Sequence, residues 1–192
     1  MKIRYAAIFL ALPLLCTTAQ ANSFLHYAGE FNFRTGEKQN NVTIAGLSAI
    51  TFDAKKNIFY AINDSRNNNK EGDASLYTLK IQVSSRGIEQ VNFLNQRPLL
   101  DAKQQPFVTN TVDAEGLALT HNGKSLLWSS ELGAPLRLST LDGVMEKDFT
   151  SLFPARFNIS SDKESSNGIR SGNAWEGLTV TPDGKSLFIA VE

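Results

Sequence analysis

Two stretches of this 192-residue chain repeat one another closely. EGLALTHNGKSLLWSSE, from Glu115 to Glu131, aligns without gaps to EGLTVTPDGKSLFIAVE, from Glu176 to Glu192, with 9 of 17 positions identical. A weaker copy, AGLSAITFDAKKNIFYAIND, runs from Ala45 to Asp64 and keeps the Gly-Leu start, a polar middle, an apolar second half and an acidic end. Aligned on Gly46, Gly116 and Gly177, the copies begin 70 and 61 residues apart. Repetition at such a period marks an architecture assembled from similar supersecondary units.

Each copy reads as a β-hairpin, because two short β-prone runs flank Asn122-Gly123 or Asp183-Gly184, dipeptides whose positive φ suits a tight turn. Further strands are predicted at Ser75 to Val83, Ile88 to Phe93 and Pro135 to Leu141, the last leading into an Asp142-Gly143 turn. No long amphipathic helix is predicted. Repeated antiparallel hairpins with extra strands between them fit an all-β fold, a β-propeller with long loops; a sandwich is the alternative, but it predicts no such repeated units. The polar segments Asn63 to Asp73 and Asn158 to Asn173 read as loops. Propellers close with roughly 4 to 8 blades, and three copies supply about three blades' worth. The expectation is therefore an incomplete propeller whose C-terminal blades are missing, poorly soluble and weakly cooperative alone.

Lys2 and Arg4, the apolar run from Ala6 to Leu15 and Ala19-Gln20-Ala21 have the layout of a cleavable signal peptide, residues 1–21, with cleavage after Ala21. The domain then occupies residues 22–192, in the periplasm or outside the cell. The apolar run is too short to span a bilayer and no later stretch approaches the necessary length, so no membrane span is predicted. Cys16 leaves with the signal, which excludes disulfides, thiolate nucleophiles and cysteine zinc sites. Only His26 and His121 remain as imidazoles, and no G-x-S-x-G occurs. Balanced charge, 19 Lys+Arg against 19 Asp+Glu, gives no field for a polyanion, so no nucleic-acid partner is expected. Chemistry falls to carboxylates, arginine, asparagine, hydroxyls and a hard metal.

A hairpin turning near residue 123 sets Glu115 and Glu131 opposite each other to within a residue, and one turning near Gly184 does the same for Glu176 and Glu192. In the first copy the turn near Lys55 sets Asp64 opposite Ala45, so one acid is kept and one lost. Equivalent hairpins would bring Asp64, Glu115, Glu131, Glu176 and Glu192 to one mouth of the propeller, with Asp113 beside them. At about 4 Å and an effective dielectric near 20, each like-charged pair costs roughly 4 kcal/mol, which a cation, an arginine or protonation must offset. Oxygen-only ligands favour calcium (Ca2+), with magnesium or manganese next. The alternative is that these acids are solvated strand ends, each harmless alone.

VDAEGLAL (Val112 to Leu119), GIRSGNAWEGL (Gly168 to Leu178) and AGLSAITFD followed by YAINDSR (Tyr60 to Arg66) resemble the blade-start signatures of the phytase-like family, described as having esterase-like activity of phytase. The likeness runs from about Ala45 to the last residue and covers the front portion of that family's domain. It implies a secreted or periplasmic, calcium-dependent β-propeller acting on phosphate or other esters. The family's D-x-E-G start falls on Asp113, Glu115 and Gly116, its D-x-R element on Asp64 and Arg66, and its R-x-N-x-x-F-E-G element on Arg170, Glu176 and Gly177. Gly172 stands where the family usually has Asn, with Asn173 one place later, and Trp175 replaces Phe.

The resulting expectation is that calcium held by Asp64, Asp113, Glu115, Glu131, Glu176 and Glu192 polarises a phosphoryl or acyl oxygen and activates a water. Glu115, Glu176, Arg66 and Arg170 would form the catalytic group, the two arginines holding a small anionic ester substrate. Each arginine is equally readable as a counter-ion of the acids. Trp128 and Trp175 read as packing aromatics. The rival functions are a metal-dependent lactonase or carboxylesterase on a similar propeller, and a non-catalytic propeller that binds a ligand.

Overall fold

A computed structural model describes residues 27, 29–34, 36–39, 42–157, 159–160, 169–170 and 172–192. The predicted signal peptide, residues 1–21 with Cys16, and most of the segment from Asn158 to Gly168 lie outside the described residues. Fourteen strands follow one another: β1 (Lys38–Gln39), β2 (Val42–Thr43), β3 (Leu47–Asp53), β4 (Ile58–Asn63), β5 (Ser75–Ser84), β6 (Gly87–Pro98), β7 (Ala114–Leu119), β8 (Ser125–Ser130), β9 (Leu136–Thr140), β10 (Met145–Asp148), β11 (Ile159–Ser160), β12 (Ile169–Arg170), β13 (Trp175–Val180) and β14 (Leu187–Val191). Two single turns of 3-10 helix, Thr150–Leu152 and Ala155–Phe157, are the only helices among the described residues. The molecule is nearly all β. None of its described helices is long and apolar enough to cross a membrane.

Two four-stranded antiparallel meanders, β3-β4-β5-β6 and β7-β8-β9-β10, are followed by the hairpin β13-β14. The first two repeat copies are the opening hairpins of the two meanders, and the third is the hairpin β13-β14. Within the first sheet, β4 is buried on both faces. Tyr60 and Ile62 point into a core shared with Leu76, Leu117, Leu126 and Trp128 of both sheets, while Ala61 faces Tyr77, Val91 and Phe93 on the other side. That division follows from the period-2 alternation of a strand. A third apolar cluster joins Ile169, Ala174 and Trp175, with Phe153 edge-on to the indole at 4.7 Å. Both tryptophans are packing residues, Trp128 being 1% and Trp175 5% exposed.

The first strands of the three units lie side by side and are stitched by side-chain hydroxyls. Ser48 Oγ donates to the Ala114 carbonyl, the Leu119 amide donates to Thr51 Oγ1, and Ser129 Oγ donates to the Glu176 carbonyl. Gly116 is where this approach is tightest. A Cβ there would lie 2.5 Å from Ser129 Oγ, 2.6 Å from the Glu176 carbonyl oxygen and 2.8 Å from the Leu178 nitrogen. Two of these three are backbone atoms and cannot swing aside, so Gly116→Ala is expected to cost about 1–3 kcal/mol in urea denaturation.

The turns differ from the tight two-residue type expected. Leu119 pairs with Leu126 and Val180 with Leu187, and only the glycines, Gly123 and Gly184, have positive φ, at 69° and 70°. Asn122 and Asp183 act through their side chains, each Oδ1 accepting the amide of the lysine two residues on and the hydroxyl of Thr120 or Thr181. These are wider loops closed by side-chain turns. The polar segment from Asn63 to Asp73 is a built loop. Asn67, at φ 52°, bonds the Phe107 carbonyl and the Ala74 amide, and Asn68 accepts the amides of Lys70 and Glu71.

Candidate functional site

Hairpin geometry determines which acids meet. The amides of Asp64, Glu131 and Glu192 donate to the carbonyls of Gly46, Asp113 and Ala174, at 2.9, 2.9 and 3.2 Å. All three pairs have the same spacing along the chain, so Asp64, Glu131 and Glu192 occupy one equivalent position at the end of each second strand. Between the pairing of Ala114 with Ser130 and that of Gly116 with Ser129, one extra residue, Glu115, bulges out. The same irregularity falls at Ser48 in β3 and between Trp175 and Leu178 in β13, where Glu176 lies. Bulges re-aim a side chain at the rim of a sheet. Glu131 is therefore opposite Asp113, and Glu115 reaches the group from a bulge. In the first unit, Ser48 holds the place of that glutamate.

The carboxylates converge. One oxygen each from Asp113, Glu115 and Glu131 lies within 4.8 Å of the others, and the same holds for Glu131, Glu176 and Glu192, so Glu131 belongs to both groups. Asp64, which is exposed, acts electrostatically on Asp113 and Glu115. Burial, then Asp113, Glu176, Asp64 and Glu131, pushes the Glu115 carboxyl up to about 8. Burial followed by Glu131, Glu192 and Asp113 raises Glu176 as well.

Arg66 is brought to the cluster, whereas Arg170 makes no ion pair among the described residues. The Nε and Nη2 atoms of Arg66 both meet Asp113 Oδ2, at 2.7 and 2.6 Å. Burial nevertheless outweighs this bond and leaves Asp113 above its ordinary value. Arg170 is exposed on β12, and its carbonyl accepts the Asn173 amide. Glu131, buried, accepts the Ala174 amide at 2.8 Å and so ties the second unit to the third.

A divalent cation fits these residues on two grounds. The five converging donors are all carboxylates, the set preferred by hard cations. Asp113 Oδ1 is buried without a hydrogen-bond partner, although an orphaned buried oxygen is costly.

Sequence reasoning missed Arg137, which is buried on β9 and bonded to the carbonyls of Thr111 and Leu132, beside Asp113 and Glu131 in the chain; burial lowers its guanidinium to about 10. The run Leu136-Arg137-Leu138 alternates like any strand with a solvated polar face. Nothing in it marks the arginine as buried.

Fold and site together define an all-β protein of repeated antiparallel meanders with a carboxylate cluster at the ends of its hairpins. The chain belongs to the phytase-like family, described by esterase-like activity of phytase, which it matches over residues 42–192. No curated protein matches it. Among solved structures it is similar to a periplasmic gluconolactonase from Pseudomonas aeruginosa, at 13% identity and a TM-score of 0.47, covering 78% of this chain and 38% of that one. It is also similar to a candidate 6-phosphogluconolactonase from Bacteroides uniformis, at 12% identity and a TM-score of 0.36, covering 80% of this chain and 52% of that one. The chain thus spans about two fifths and about half of the length of these two proteins.

Proposed function

We propose that this is a secreted or periplasmic calcium-dependent hydrolase of phosphate or related esters. Its two meanders and the third hairpin are read as successive blades of a β-propeller. Side-by-side first strands in successive four-stranded sheets support that reading, since propeller blades are arranged in this way. The observation that carries the metal site is the unpartnered, buried Asp113 Oδ1 inside a group of five converging carboxylates.

Asp113, Glu115 and Glu131 would hold the cation, with Glu176, Glu192 and Asp64 around them. Calcium, when bound, supplies positive charge that stabilises the negative charge developing on an ester oxygen. The protein's own contribution is preorganisation. Arg66 fixes one oxygen of Asp113 and leaves the other free, Glu131 is held by the Ala174 amide, and the two bulges aim Glu115 and Glu176 inward. A bulge glutamate outside the metal shell is placed to accept the proton of an attacking water.

One observation favours a second reading, hydrolysis of an uncharged lactone or carboxylic ester. Arg66, the arginine bonded to the cluster, is committed to Asp113, and Arg170 makes no ion pair among the described residues. A phosphate would then depend on the cation for its charge. Phosphate release and lactone opening on a substrate panel, with and without chelator, separate the two readings. Neither activity, with calcium altering stability alone, would identify a binding protein. Glu115→Gln and Glu176→Gln are each expected to lower hydrolysis at least about 100-fold. Their melting temperatures in chelator should not fall, because each removes a like charge from the cluster. Full activity in both variants would move the site elsewhere.

A further inference from the structure

Arg137 is the only buried cation among the described residues, 4% exposed. No carboxylate comes within ion-pair distance of it there, and the acid that acts on it electrostatically is Asp148. Its guanidinium lies 4.7 Å from the Trp128 ring centre and 5.3 Å from that of Phe107. Nη1 donates to the Ala134 carbonyl at 2.8 Å, and Nη2 to those of Thr111 and Leu132, both at 3.4 Å. Gly133 makes the room. At its φ of 70° a Cβ would lie 2.7 Å from Nη2 and 2.7 Å from the Thr111 carbonyl oxygen.

The three carbonyls belong to the two segments that carry the cluster's buried acids. Thr111 is two residues before Asp113, and Leu132 directly follows Glu131. The segments are also bound to each other, by the Glu131 amide on the Asp113 carbonyl and by Ser130 Oγ, which accepts the Asp113 amide and donates to the Leu132 carbonyl. An apolar side chain in its place would take away the donor that these three carbonyls share. Lysine would not serve equally, since only a planar fork of donors spans several carbonyls while stacking on aromatic rings.

We propose that Arg137 is the positioning residue of the acidic cluster, a buried clamp that holds the Asp113 and Glu131 segments at the separation a divalent cation requires. It acts through those two residues and touches neither cation nor substrate. The inference rests on the cation-site reading above, and its test keeps the two apart.

Arg137→Met, Arg137→Lys and, as a core control in the same sheet, Leu126→Ala are compared with the wild type by calcium calorimetry, terbium luminescence and hydrogen exchange in chelator. Arg137→Met is expected to weaken calcium binding at least tenfold and to speed exchange of the Asp113 and Glu131 amides at least tenfold, leaving β3 to β6 unchanged. Arg137→Lys should recover folding and only part of the affinity; it carries the test if the methionine variant does not fold. Wild-type affinity and wild-type exchange in both arginine variants would overturn the proposal. So would an equal loss of affinity in Leu126→Ala, which would make the effect one of general destabilisation. A wild type that binds neither calcium nor terbium would remove the cation site, and the clamp would then stand or fall on local exchange.

Discussion

Calcium at about 100 times its dissociation constant is expected to stabilise the protein by about 2.7 kcal/mol. For a chain of this size that is a rise in Tm of roughly 5–10 °C. The gain should depend on pH in a definite direction. Glu115 takes up its proton at about 8 in the folded chain, against 4.5 for an ordinary glutamate. A carboxyl whose folded value is raised contributes stability that is complete below its unfolded value and is lost as pH rises through the folded one. Asp113 and Glu176 are shifted in the same direction. In chelator the protein should therefore melt lower at about pH 8.5 than at about pH 5.5. Calcium takes the place of those protons, so its effect should be larger at the higher pH. Thermal melts at both pH values, in chelator and in millimolar calcium, check this. A transition unmoved by calcium would sink the metal site, and a chelated protein that gains stability towards pH 8.5 would contradict the burial of the acids.

Trp128→Ala is expected to cost about 3–5 kcal/mol, the range for removing a large buried aromatic side chain. The indole fills the core between the two complete sheets, donates its N–H to Ser139 Oγ at 2.8 Å and lies edge-on to Phe107 at 5.9 Å. Truncation leaves that hydroxyl without its donor and uncovers one face of the Arg137 guanidinium. Urea unfolding of the purified variant measures the loss, and Trp128→Phe should recover more than half of it. A cost below about 1 kcal/mol would mean that the two sheets do not share one core.

Strand content and the three hairpins were legible in the sequence because they depend on local pattern. The strands predicted at Ser75 to Val83 and Pro135 to Leu141 appear as Ser75–Ser84 and Leu136–Thr140. Strand β10 was not anticipated. Its four residues, Met145-Glu146-Lys147-Asp148, carry no β-prone run and depend on the ladder offered by β9. Five of the six acids named from the sequence converge, and their pairing, read to within one residue, differs by one bulge. Counting outward from Gly123 assumes one residue opposite one, and the extra residue at Glu115 has no local signature. In the first copy, matching Gly46 to Gly116 placed the unit three residues out of phase, because Gly46 in fact shares the position of Asp113 and Ala174. The orphaned Asp113 oxygen and the buried Arg137 are products of tertiary packing, invisible in any local window.

The bulge shared by Ser48, Glu115 and Glu176 separates inheritance of the scaffold from inheritance of the chemistry. A side chain carried on a bulge contributes no rung to the ladder, so its identity can drift while the flanking hydrogen bonds persist. Serine at one of these places and glutamate at two others show both outcomes within a single polypeptide. In the first unit the hydroxyl joins neighbouring sheets, and in the other two the carboxylate faces other carboxylates. Duplication of one hairpin would then multiply identical sockets, and divergence at a single codon in each would decide which carries a charge and which merely braces.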